Sequence, residues 1–185
     1  MHVPLGLIAL ITALGTTLPS APADDFTDSP LYASWAKLKP GSSITLSVEM
    51  MAMGQDVKTQ VLQKLTEVAP EQLIVETTMT SPGRTVGPTK VAIKAKVPKD
   101  EADRTRLPPG MKGQTKELAD ETVEAGGKSY KCKVTEFVGE LQGGTTKGKI
   151  WSSDEVPGGM VRTEMTTEGK MASTITSKLV AIDLK

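Results

Sequence analysis

The sequence predicts a mainly β protein: a curved antiparallel sheet, or incomplete barrel, of about nine strands with one short N-terminal helix. Three observations carry this expectation. Apolar and polar residues alternate through most of the chain, as Ile44, Leu46, Val48 and Met50 do among Thr45, Ser47 and Glu49. Gly, Pro and Asp break the alternation at short intervals, where turns are needed. Aromatic residues make up only 3% of the chain, which disfavours an immunoglobulin-like sandwich or a membrane barrel with aromatic girdles. A chain of 185 residues suits one compact unit better than two.

The first segment is not part of that fold. Val3 to Leu18 is almost free of polar residues and is followed by Ala21-Pro22-Ala23, so residues 1–23 read as a signal peptide with an A-x-A cleavage site. The apolar run is too short for a comfortable membrane span, and no second candidate follows in the mature chain, residues 24–185, which reads as a single β domain. The only cysteine, Cys132, lies far from the cleavage site, which argues against acylation there. An exported protein, periplasmic or extracellular, is the expectation.

Ser29-Pro30 ahead of Leu31, Trp35 and Leu38 supplies a cap, a proline at the first helical position and one apolar face, giving a helix from about Pro30 to Leu38. Strands follow around Ile44–Met50, Val57–Leu65 and Leu73–Met79, as a meander. Ser81 to Thr89 reads as a Gly/Pro connection before Val91, Ile93, Ala95 and Val97. Their other face is largely lysine and reads as solvated. Residues 98–116, rich in charge, Pro and Gly, read as a long surface loop. Leu118 to Glu124 and the strand of Tyr130, Cys132 and Val134 form a hairpin about Gly126-Gly127. Strands around Ile150-Trp151, Val161–Met165 and Ala172–Asp183 complete the set, the last with apolar residues on both faces near its end.

Composition excludes much chemistry. Removing the leader removes His2, the only histidine, and with it imidazole general bases, Ser-His-Asp and Cys-His systems and His-ligated metals. One cysteine makes no intramolecular disulfide, and Cys132, flanked by Tyr130 and Val134, reads as a core thiol. Balanced charge, with 22 basic and 22 acidic residues, gives no footprint for nucleic acid. Asp154-Glu155 lacks the aromatic platforms of a glycosidase cleft. No catalytic residue, metal ligand or cofactor is expected. Methionines on apolar strand faces can fill gaps in the core or line an adaptable cavity, and a tryptophan, whose plainer reading is an anchor between helix and sheet, can cap one. The candidate ligand-lining residues are therefore Trp35, Met50, Met79, Trp151 and Met165.

The order of helix, KPGSSITLSVEM, GQDVKTQVLQKL, EQLIVETTM, GGKSYKCKVTEF and KGKIWSSDEVPGGMVRTEMTTEGKMASTITSKLVAI resembles small exported bacterial proteins related to the lipoprotein-localisation (LolA/LolB-like) superfamily. Ile150 to Lys170 carries the resemblance most closely. It implies an incomplete antiparallel barrel with a flanking or plugging helix and, in transport members, a hydrophobic cavity for acyl chains. No cargo-binding residue of those members maps onto a position here. The functional expectation is a non-enzymatic protein holding a lipid, acyl chain or other hydrophobic envelope component in the concave face of its sheet. The alternative is a structural or protein-interaction module of the envelope with a filled core, binding through the 98–116 loop or an edge strand.

Overall fold

Local signals set the first elements. The Ser29 hydroxyl accepts from the Tyr32 amide at 3.2 Å, satisfying one of the free amides of the first turn, and Pro30 begins helix α1, Pro30–Ala36. The computed structural model describes residues 25–99, 107, 111–141, 144–169 and 172–185. The expected signal peptide, residues 1–23, lies outside the described residues, as does most of the interior of the 98–116 segment. Among the described residues no helix is long and apolar enough to cross a membrane.

Twelve strands accompany the helix. They are β1 (Phe26–Asp28), β2 (Ser43–Ala52), β3 (Gln55–Val68), β4 (Gln72–Ser81), β5 (Arg84–Lys94), β6 (Lys96–Pro98), β7 (Lys112–Glu117), β8 (Glu121–Ala125), β9 (Lys128–Leu141), β10 (Gly144–Ser152), β11 (Met160–Glu168) and β12 (Ser173–Asp183). Ten of them form one antiparallel sheet in the order β5-β4-β3-β2-β12-β11-β10-β9-β7, with β8 beside β9, and β1 pairs separately with β6. The sheet is open, so the expected fold class stands, with three more strands than expected. The additions are short β1 and β6, and β7, which occupies the end of the segment read as a loop. β5 also begins earlier, inside the Gly/Pro connection.

The hairpin between β8 and β9 turns at Gly126-Gly127, whose φ values of 54° and 76° suit a two-residue turn with both central residues left-handed. The last strand holds a correction. A bulge between Leu179 and Ala181 leaves Leu179 opposite Leu46 and Ile182 opposite Ile44, so both return to one face while Val180 stays exposed. The double-faced pattern near the C-terminal end is thus one extra residue in the ladder.

The core lies on one face of β2, β3 and β4, where Ile44, Leu46, Val61, Leu65, Leu73 and Val75 are buried. It is continued by Val161, Leu179 and Trp35 of the helix. Tyr130, Cys132 and Val134 join it from the start of β9. Further along β9 the buried residue is Phe137, of the opposite parity, so the two ends of this strand bury opposite faces.

Candidate functional site

Two of the five candidate lining residues sit in the core. Trp35 is 1% exposed and Trp151 5% exposed, both within the main apolar cluster. The Gly158 amide donates to the Ser34 hydroxyl at 3.0 Å, and an added Cβ at Gly158 would lie 3.3 Å from Trp35 Nε1. The Val-Pro-Gly-Gly corner therefore closes directly over the helix. Trp151 donates from Nε1 to Glu121 Oε2 at 2.8 Å, and the Arg162 guanidinium lies over its ring, 5.0 Å from the centroid. Arg162 in turn pairs with Glu164. Both indoles pack as anchors, and Met79 is partly buried against the same cluster.

Register brings the other two candidates together. Directly opposed residues in an antiparallel pair share a face. Val57 opposes Met50, Met50 opposes Ile175, and Ile175 opposes Met165, which makes one row across β3, β2, β12 and β11. All four are half-buried. By alternation they share the face of Val61, Leu46, Leu179 and Val161, the row two levels deeper that belongs to the core. Between the two lies a mixed row of Thr59, Val48, Ser177 and Thr163. The half-buried row continues to Gly148 and Phe137. The Phe137 ring covers Gly148: a Cβ built there would lie 2.6 Å from the ring and would also meet the Glu164 carbonyl. Ile175 and Val57 were not among the candidates, although their period-two apolar spacing was visible in the sequence.

A groove of about 750 Å³ crosses β7, β9, β10, β11 and β12. Its lining includes Gln114, Lys116, Glu136, Val138, Lys147, Lys149, Glu164, Thr166, Thr174 and Thr176, together with Thr115, Phe137, Gly148 and Met165. The first ten alternate with the last four, so the former supply side chains and the latter mainly floor. Met165 thus lies beneath a polar groove and turns its side chain to the core-bearing face. Lys147 pairs with Glu168 at 2.6 Å and, by hydrogen bond and charge, holds that exposed carboxylate below its usual range. The polar residues on β9 to β12 were legible only as the solvated halves of strands, and Gln114 and Lys116 lay in the segment read as a loop.

A smaller cavity of about 300 Å³ is lined by Gly126, Lys128, Tyr130, Glu155, Ile182 and Leu184. Burial pushes the Tyr130 phenol upward, and the Glu155 carboxylate adds to it. The Cys132 thiol is fully buried; burial raises its pKa first, then the charges of Glu155 and Glu121. Such a thiol is held neutral, the opposite of what a nucleophile needs.

No protein-family model matches the chain. No curated protein matches it either. Among solved structures it is similar to a protein assigned as exported, with a YmcC-like fold, from Bacteroides fragilis. The two are 13% identical, with 79% of this chain and 97% of that chain covered and a TM-score of 0.50. A protein assigned as a lipoprotein from Parabacteroides distasonis is also 13% identical, with 79% and 96% covered and a TM-score of 0.46. A LolA superfamily protein from Nitrosomonas europaea is 10% identical over 86% and 94%, with a TM-score of 0.23. At these identities the likeness is one of fold. The Bacteroides fragilis protein thus shares the overall fold of this chain.

Proposed function

We propose that this is an exported, non-enzymatic binding protein that holds the apolar part of a lipid, acyl chain or other envelope amphiphile along the half-buried row of Val57, Met50, Ile175 and Met165. That row carries the reading. It is apolar over four adjacent strands, lies on the core-bearing face, and is covered only in part by the protein's own side chains. Three strand spacings give it a length of about 15 Å, enough for a segment of an extended hydrocarbon chain. Its methionines are unbranched and polarizable, so they adapt to chains that differ in shape. Trp35, Trp151 and Met79 act in this reading as the packed floor, against which the row is held rigid.

The test is native mass spectrometry of the protein purified without detergent from its own host, followed by organic extraction. The expected result is a discrete bound mass of lipid size that is lost on substituting Met50→Asp together with Met165→Asp while the fold persists. A bare mass equal to that of the chain would overturn the reading.

A further inference from the structure

The two edges of the open sheet differ. On β5 the edge is interrupted by Pro88, which has no N–H to offer, and by a register break opposite Thr77 and Met79. Its Lys90 faces Glu67 and Glu76, each at 3.9 Å. On β7 the register is unbroken for six residues, none of them proline, and all six are exposed. Among the described residues β7 ends the sheet.

The phase of its ladder follows from one bond. Leu118 donates its amide to the Val134 carbonyl at 2.9 Å, so Lys116 with Glu136 and Gln114 with Val138 are also hydrogen-bonded pairs. Gly113 and Thr115 fall between them and direct N–H and C=O away from β9. The close approach of Gly113 to Gly139 fits the narrow, non-hydrogen-bonded spacing.

Charge along the rows is ordered as well. Lys116, Glu136, Lys149 and Glu164 oppose one another in sequence across β7, β9, β10 and β11, with signs alternating at every strand. Lys112 likewise opposes Glu140. Both rows therefore reach the edge as lysine. The next strand in that alternation carries carboxylates opposite Lys112 and Lys116, four residues apart on one face. Lysines at an edge disfavour a neutral or basic strand and admit an acidic one.

We infer that the β7 edge is a docking site for an extended segment of a partner protein, which adds as a further strand and places acidic residues four apart against Lys112 and Lys116. Main-chain bonds to Gly113 and Thr115 supply the attachment, and the two lysines supply the selection. The site is independent of the lipid-binding reading, since it uses the opposite face and the edge.

The probe is a fluorescein-labelled threonine/valine nonapeptide with glutamates four residues apart, followed by anisotropy with the full chain. The same peptide with lysines at those positions is the control. The glutamate peptide binds, and Lys112→Glu with Lys116→Glu weakens it about tenfold or more while strengthening the lysine peptide. Thr115→Pro removes an outward N–H without removing a bond to β9 and abolishes binding of both, with the thermal unfolding midpoint retained. Failure of the glutamate peptide to bind, or binding indifferent to the charge reversal, overturns the inference. So does sedimentation as a dimer that Thr115→Pro dissociates, or protection of the Gly113 and Thr115 amides from hydrogen exchange before peptide is added. Those two results would assign the edge to a second copy or to this chain's own residues.

Discussion

The half of the sheet around β2–β4 and the region where β7 meets the C-terminal end of β9, with the adjoining parts of β10 and β11, are built from the same kind of antiparallel ladder, yet one is dry and the other wet. In the first, Leu65 and Leu73 are fully buried, in the cluster that also holds Trp35. In the second, the large groove is walled by Lys, Glu and Thr, and Phe137 covers a glycine. The lesson is that the fold is secured where the buried cluster lies, so that the polar rows and the open β7 edge need not supply the stability.

The largest effects should fall in the dry half. Trp35→Ala is expected to cost about 3–5 kcal/mol and Leu65→Ala about 2–5 kcal/mol in urea unfolding, because each leaves a cavity in a closed cluster. Val138→Ala, on the groove, should stay within about 0.5 kcal/mol. Equal costs in the two halves would erase the distinction.

Next comes a tight spot in the wet half where a ring meets a glycine. Gly148→Ala is expected to destabilise by about 1–3 kcal/mol, since its Cβ meets the Phe137 ring and the Glu164 carbonyl and something must move. Adding Phe137→Leu should recover part of the loss. A neutral Gly148→Ala would mean that the ring does not lie where the packing places it.

A smaller effect reports on the buried cluster through pH. Cys132 in the core has its pKa raised above the ordinary thiol value, so the unfolded chain loses that proton first. The stability linked to the neutral thiol is complete below the ordinary thiol range and falls as pH rises through the raised value. Urea titrations from neutral to alkaline pH should therefore show a decline that is shallower in Cys132→Ala. An unchanged slope would contradict the buried, neutral thiol.

The smallest effect concerns the hairpin tip at Met53, which is 82% exposed and has φ 52°, a left-handed conformation that a methionine adopts at a cost. Met53→Gly should raise stability by about 0.5–1 kcal/mol, measured as a shift in the denaturation midpoint.

How much of this could be read from the sequence follows from what period and turn chemistry encode. The Ser29-Pro30 helix start, the Gly126-Gly127 hairpin and the buried run of Tyr130, Cys132 and Val134 were legible because each is local. β7 was not, because Lys112 to Glu117 contains no apolar residue and so no period, and its strand character comes from pairing with β9. The bulge at Leu179–Ala181 was hidden for a related reason: an extra residue in a ladder looks like apolar residues on two faces. Within the candidate site, the methionines were identifiable as lying on apolar faces. Only register separates Met50 and Met165, which share a row, from Met79, which packs on the core. For the tryptophans the sequence favoured a core anchor over a cavity cap, although the two have the same local pattern.

The central claim is that the core end is filled and binding takes place on the half-buried row. Methyl NMR of the protein with ¹³C-methyl methionine, titrated with lauric acid below its micelle concentration, tests it most directly. The account predicts that the Met50 and Met165 methyl signals move together and saturate, while Met79 and Met160, packed against the core, hold their positions. Movement of Met79 and Met160 with Met50 and Met165 unmoved would contradict it, placing the ligand inside the buried cluster.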